Sequence, residues 1–303
     1  MKVKIVPLCT VILAAFALAP QAHAAKVNAN LSYETADYGD DYSYAGPRLE
    51  FNLNPSGSNW YFDLGYRNRE HDTKQLYTRV EGQASYRFRF DGGWIQPSVK
   101  YQIDTTNYEN NSRNINTLSA TETKYHLTIN NDWALWGEVQ IGLMEHENKT
   151  TTAERKADYF NWEIETGAHY YFNPTNRFSF TYYNIGKLSD KGETWDLTDD
   201  SSSQQVRLYY YWKTPIGLTI SPYVRQSIGY GYQSDWYDDP KFYETETQSK
   251  LTRYAMRLDY PLSDTIRAQI EYYHETNEYK EGKNKGKEDG SIDYIRAGLS
   301  FNF

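Results

Sequence analysis

Cysteine is all but absent: Cys9 is the one thiol in 303 residues. A disulfide-stapled scaffold is therefore excluded. Methionine occurs three times, and the Leu, Ile and Val of an ordinary globular core are thinly spread. No run of 18 or more apolar residues follows residue 24, which excludes a membrane-spanning helix. Basic residues are the minority, 32 Lys and Arg against 40 Asp and Glu. The positive face that nucleic-acid binding requires is missing. No pair among the six histidines has metal-ligand spacing, and nothing implies a metal or cofactor.

Tyrosine is what the chain has in excess. There are 30 of them, in a sequence that is 17% aromatic yet has a mean hydropathy of -0.83. A tyrosine has an apolar body and a polar tip, so it favours a boundary between water and hydrocarbon. The first 24 residues read as a secretory signal peptide. Lys2 and Lys4 supply the charge, Val11 to Leu18 the apolar stretch and Ala22-His23-Ala24 the cleavage site. Cys9 falls inside this segment. Residues 25–303 then form one exported unit with 30 basic residues (32 less Lys2 and Lys4) against 40 acidic, a net of -10.

Short turn signals recur along that unit: Asn54-Pro55-Ser56-Gly57, Asp91-Gly92-Gly93, Asn130-Asn131-Asp132, Asn173-Pro174-Thr175-Asn176, Thr214-Pro215-Ile216-Gly217 and Pro261-Leu262-Ser263-Asp264. From Pro55 through Gly92, Asn131, Pro174 and Pro215 to Leu262, the intervals are 37, 39, 43, 41 and 47 residues. Between the turns lie longer polar segments: Asp37 to Tyr44, Glu70 to Gln75, Thr106 to Ser119, Glu147 to Lys156, Ser189 to Ser202, Gln233 to Ser249 and Tyr279 to Gly290. Six turns and seven loops are thirteen connections, hence fourteen strands. An even strand count with short turns on one side and long loops on the other is the pattern of a transmembrane antiparallel up-and-down β-barrel. The turns and both termini belong on the periplasmic side.

The strands alternate with period two, apolar against ionic. Val80, Gly82, Ala84, Tyr86 and Phe88 oppose Arg79, Glu81, Gln83, Ser85 and Arg87. Val206, Leu208, Tyr210 and Trp212 oppose Gln205, Arg207, Tyr209 and Lys213. The last stretch, IRAGLSFNF, does the same to the end of the chain. A soluble sandwich would produce such faces too, but it does not need strands of ten or more residues, whereas a bilayer requires spans of about 9–11. Trp60, Phe88, Trp94, Trp133, Phe172, Phe178, Trp212 and Phe303 flank the short turns, where an interfacial girdle belongs. The apolar face is thus expected to meet outer-membrane lipid. The last strand is expected to close on the first, with Phe303 the aromatic end read by the barrel-assembly machinery.

The opposite face becomes the lining. Arg67, Arg79, Arg87, Arg207, Arg225, Arg253, Arg257, Arg267 and Arg296 share it with Glu34, Glu50, Glu81, Glu138, Glu163, Glu165, Asp259 and Glu271. Fourteen strands at roughly 40° tilt give a backbone diameter of about 28 Å and an interior of about 15 Å once side chains are subtracted. A saccharide of a few rings fits such a bore. The mixed charges either stand as opposed columns that order water or pair across neighbouring strands. Catalysis is not expected. The acidic doublets Asp40-Asp41, Asp199-Asp200 and Asp238-Asp239 lie in loops, and nothing ties them to His71, His146 or His274. His126 and Thr128 fall on the inner face, away from lipid.

ETGAHYYFNPT (165–175), SPYVR (221–225), DWYDD (235–239) and AGLSFNF (297–303) resemble the outer-membrane protein G (OmpG) family. That resemblance implies a monomeric fourteen-stranded porin in the bacterial outer membrane, passing mono-, di- and trisaccharides. It also implies that the segment Gln233 to Ser249 folds over the mouth as a gate. That segment carries Asp235, Asp238, Asp239, Glu244 and Glu246 against Lys241 and has no histidine. Its carboxylates titrate near pH 4 to 5, so a switch in the histidine range is not expected. The smaller twelve-stranded oligogalacturonate and sialic-acid porins, with arginine-rich interiors, are the alternative likeness and would favour acidic oligosaccharides.

The orientation is open to test on intact cells. A cysteine at Ser201, beside an outer loop, should react with an impermeant thiol reagent, and one at Thr175, in a periplasmic turn, should not. Reversed labelling would invert the topology.

Overall fold

The computed structural model describes residues 25–39, 42–151, 154–189, 200–235, 245–281, 285 and 290–303. The expected signal peptide lies outside them. The strands are β1 (Ala25–Asp37), β2 (Ser43–Pro55), β3 (Trp60–His71), β4 (Leu76–Tyr86), β5 (Phe88–Phe90), β6 (Gly93–Asn107), β7 (Arg113–Thr128) and β8 (Trp133–Lys149). They continue with β9 (Glu154–Asn173), β10 (Asn176–Ser189), β11 (Ser201–Lys213), β12 (Thr219–Ser227), β13 (Gly231–Asp235), β14 (Thr245–Pro261), β15 (Ile266–Glu281) and β16 (Gly290–Asn302). All pair antiparallel in one sheet, and β1 pairs with β16 from Asn28↔Asn302 to Asp37↔Asp293. The sheet is closed.

Sixteen segments make fourteen barrel strands, because β5 continues β4 and β13 continues β12. The first break has a chemical cause. Ser85↔Ser98 and Phe88↔Ile95 keep one register across it, so Pro97 stands opposite Tyr86. A proline brings no N–H to a ladder position. The second break is a bulge. Gln205 pairs with Ser227 but Ser202 pairs with Tyr232, so three steps on β11 match five on its partner. Gly229, at φ 73°, supplies the left-handed residue that this kink needs.

Parity assigns the faces as the alternation predicts. Leu64, Val80, Val99, Leu143 and Ile270 are exposed on the outside, the face expected to meet lipid. Trp60, Phe88, Trp133, Phe172, Phe178, Trp212 and Phe303 stand exposed beside the short turns. Trp94 does not join them. It is the second residue of β6, in register with His126, and the girdle expectation is corrected there. Its place beside the turn suits a girdle, but it shares the inward parity of Gln96 and Ser98, not that of Ile95 and Val99.

The strands also run further outward than the sequence implies. β7 starts at Arg113, so the expected loop Thr106 to Ser119 shrinks, and β9 reaches 20 residues. Above Leu143 the outer face of β8 and β9 turns ionic, with Lys156 contacting Glu145 at 3.8 Å, Glu147 at 3.3 Å and Glu154 at 3.8 Å. Charges on that face mark where hydrocarbon ends. Connections at this end are tied down: Asp72 accepts hydrogen bonds from the Ser43 N–H (2.9 Å) and hydroxyl (3.0 Å), which hold its carboxyl below the usual range.

Leu208 alternates outward between Arg207 and Tyr209, so Leu208→Arg should destabilise the barrel by roughly 2–4 kcal/mol if it lies near mid-membrane. Urea unfolding in lipid vesicles measures it. A loss near zero would mean a register wrong by one residue.

Candidate functional site

All seventeen charged residues expected on the lining have the inward parity of their strands. Most of them pair locally. Glu34, 1% exposed on β1, accepts from Arg69 Nε at 2.7 Å and from the Tyr294 hydroxyl at 2.9 Å, and Arg67 Nε lies 3.4 Å away. This carboxylate ties the seam strand β16 to β1 and β3. Glu165 on β9 accepts from Arg207 Nη1 (2.7 Å), Thr181 Oγ1 (2.7 Å) and Tyr209 OH (3.0 Å), reaching across β10 to β11. The Arg207 guanidinium also covers the Tyr183 ring at 3.2 Å, and the Tyr183 hydroxyl donates to Glu163 at 2.9 Å.

The other pairs follow the same pattern. Arg79 donates twice to Asp104, at 2.7 and 2.9 Å, and Arg253 donates to Glu275 at 2.7 Å. Arg257 bonds Asp259 at 3.0 Å, and Arg296 bonds Glu271 at 2.8 Å. Arg48 pairs with Glu50, Lys100 stands 3.9 Å from Glu81, and Lys124 stands 3.8 Å from Glu138. The charges are therefore compensated by near partners, along one strand or one to two strands away, and not separated into opposed columns. Sequence reasoning missed Arg69, Asp104 and Glu275, which fall beside segments read as loops. Extending the alternation a few residues outward would have included them.

Three of the expected arginines make no ion pair among the described residues. Arg87 lies between the Tyr61 and Trp94 rings, at 4.6 and 4.3 Å. Arg225 lies 5.1 Å from the Tyr223 ring, and Arg267 sits on β15 beside a short turn. Pairing does not dry the wall: the side chains of Arg79, Arg257 and Lys124 remain 27%, 40% and 41% exposed. On the arc from β1 to β7 the wall recedes into a cavity of about 350 Å³ lined by Asn28, Asn30, Glu50, Asn52, Asp63, Gly65, Glu81, Gln83, Lys100 and Lys124. Gly65 is inward-facing, and a Cβ there would strike Glu81. A side chain at that position would fill the recess.

The candidate gate is shorter than expected. Asp235 and Glu246 belong to paired strand segments, with Asp235↔Thr245 and Ser234↔Glu246. Asp238, Asp239, Lys241 and Glu244 lie outside the described residues, as do Asp40, Asp41 and Asp199. The histidines weighed for catalysis have other contacts. His146 Nδ1 is 2.6 Å from Asn116 Oδ1, and His274 Nδ1 is 3.0 Å from Asp293 on the outer face. Among the described residues no group of His, Cys, Asp and Glu could hold a metal ion.

Arg207→Leu leaves the Glu165 carboxylate buried without its cation and should cost roughly 3–5 kcal/mol, while Arg207→Leu combined with Glu165→Leu should recover most of that loss. Unfolding midpoints of the two variants in vesicles give the comparison. Equal losses would mean that the pair is not coupled.

No family model matches the chain, and no curated protein matches it. Among solved structures it is similar to the CymD monoaromatic hydrocarbon channel, with 9% identity and a TM-score of 0.52 over 92% of this chain and 88% of that one. It is similar to the TodX monoaromatic hydrocarbon channel (deltaS2 mutant), with 10% identity and a TM-score of 0.52 over 92% and 90% of the two chains. The outer membrane channel DcaP of Acinetobacter baumannii matches with 11% identity over 93% and 98%, at a TM-score of 0.47. At such identities the likeness is one of fold. It extends to outer-membrane barrels as a class and does not single out the outer-membrane protein G family. The chain is a closed fourteen-stranded antiparallel β-barrel of the bacterial outer-membrane type.

Proposed function

We propose that this protein is a passive diffusion channel of the bacterial outer membrane for small hydrophilic solutes, small saccharides among them. The observation that carries the reading is the lining, in which paired charges stay partly open to water along the inside of a closed barrel. A structural plug would bury those groups. An apolar conduit would not contain them, since desolvating an ion costs several kcal/mol.

The recess beside Gly65 supports the saccharide part. Asn28, Asn30, Asn52 and Gln83 offer amide donors and acceptors, and Glu50, Asp63 and Glu81 offer carboxylates. Vicinal hydroxyls both donate and accept, and a wall of mixed amides and carboxylates answers both demands. Asn30 Nδ2 donates to Gln269 Oε1 at 3.1 Å, which fixes the orientation of that amide. Transport in this reading needs no cofactor and no chemical step, and one chain encloses the path.

Reconstitution into planar bilayers tests it. The folded chain should carry a steady ohmic current, and vesicles containing it should swell in glucose and maltose faster than in longer maltose oligomers. A folded barrel with no steady conductance would end the channel reading, and an equal rate for all sugar lengths would remove the size limit set by the bore.

A further inference from the structure

At the short-turn end of the inner wall, one arc gathers several cations without the carboxylate partners that most of the lining has. Arg89, Trp94, His126 and Trp136 share a register row across β5 to β8. Arg87 is packed between Tyr61 and Trp94, and Arg89 donates to the Tyr61 hydroxyl at 3.0 Å. Trp94 lies over His126 with ring centroids 6.2 Å apart and planes 14° from parallel. His126 is 6.0 Å from His169, which stacks on Trp136 at 4.9 Å and 12°. Arg177, beside Tyr171 in register, lies 5.2 Å from the Tyr211 ring. A continuous band of cations and rings results.

The band is made of donors. Among the described residues, Arg87, Arg89, Arg177, His126 and His169 have no carboxylate within ion-pair distance. The polar partners they do have are neutral: Gln96 for Arg87 (2.7 Å), Tyr171 for His126 (3.4 Å) and Ser179 for His169 (2.7 Å). Asp91 and Asp132 stand in the adjoining turns, exposed, and the first inward-facing acids on β3 and β8 are Asp63 and Glu138, one alternation further in. Glu138 has Lys124 beside it. Two donors of the band, Trp136 Nε1 and Arg177 Nε, are buried with no hydrogen-bond partner. Buried donors are ordinarily paired, with protein or with water, and no acid among the described residues is placed to pair these two.

We infer that this band is a binding site for solutes that carry a carboxylate on a ring. The carboxylate answers the free donors of Arg177 and its neighbours, and the flat or apolar face of the ring packs on the exposed parts of Trp94 and Trp136. The ring of such a solute is either aromatic or that of a sugar acid, and the shared chemistry is the anion beside an apolar face. The site rests on the channel reading only for how the solute arrives. The recess for neutral hydroxyls begins two residues away along β7, at Lys124, so a sugar acid can engage both.

Calorimetric titration of the folded barrel in uncharged detergent separates the two readings, because it does not depend on conduction. Benzoate, glucuronate, acetate and glucose are titrated at low salt into the wild-type chain, Arg87→Gln/Arg177→Gln and Trp94→Leu. Benzoate or glucuronate should bind the wild type at least about tenfold more tightly than acetate or glucose, and the double variant should lose at least about tenfold of that affinity. Trp94→Leu should bring the ring acids down toward acetate. Whichever ring acid binds more tightly identifies the ring type. Retained far-ultraviolet circular dichroism and heat-modifiable migration show that each variant is folded, and Lys74→Gln, exposed in the β3–β4 connection at the opposite end of the barrel, serves as a charge control without effect. Binding of the ring acids unchanged by the double variant, or no preference over acetate, overturns the site. In bilayers the same solutes should reduce the wild-type current more than that of the double variant. A silent bilayer with intact calorimetric binding would reject the channel and leave the site.

Discussion

Everything in this molecule depends on backbone groups having no water to bond with inside a bilayer. An unpaired N–H or C=O in hydrocarbon costs several kcal/mol, so a sheet that spans lipid has to close on itself. Here closure is the pairing of β1 with β16, ended by the reciprocal bonds of Val27 and Phe303, at 3.2 and 2.9 Å. The Glu34 carboxylate reinforces the same seam from within by holding Arg69 and Tyr294 from two other strands. Closure forces one face of each strand toward lipid and the other toward the lumen, and the ionic residues have only the second place to go.

That confinement explains why the interior charges pair as they do. Neighbouring inward positions lie within reach of long side chains, and a charge on a curved concave wall meets its neighbours more readily than one on a flat sheet. Arginine is suited to this, since one guanidinium bonds a carboxylate in its plane and covers a tyrosine ring with its face, as Arg207 does with Glu165 and Tyr183. Much of the tyrosine excess is spent in this way. The bilayer boundary accounts for the outward tyrosines, such as Tyr260 and Tyr272. Tyr44, Tyr183, Tyr223 and Tyr294 are instead buried parts of the inner wall.

Strand number, face assignment and turn positions were legible in the sequence because each rests on a local rule, alternation or turn chemistry, repeated many times. The failures occur where a local rule has no neighbours to support it. Trp94 sits beside a turn, where an aromatic ring fits the girdle by type, and only the parity it shares with Gln96 and Ser98 turns it inward. The bulge at Gly229 hides in a run of turn-like residues. The reach of β9 and β14 past the bilayer is invisible because residues there alternate no longer between lipid and water but between water and lumen, and polar residues suit both faces. The inward parity of the seventeen charged positions was readable from the alternation. That Glu165 would find Arg207 two strands away was not, because the register between strands is set by the whole barrel.

The surplus length of β9 sets how far the wall stands above the bilayer. Twenty residues, tilted by about 40° and rising about 3.3 Å each, span roughly 50 Å along the barrel axis. The apolar band that lipid covers is about 25 Å tall. The six residues of β9 beyond Phe160, which pairs with Leu143 where the apolar face ends, make a collar about 15 Å above the hydrocarbon, held by the Glu145, Glu147, Glu154 and Lys156 ladder. The Debye length at physiological salt is about 8 Å. A rim at that height stands nearly two Debye lengths above the hydrocarbon edge, so the surface charge of the membrane is largely screened where the wall ends.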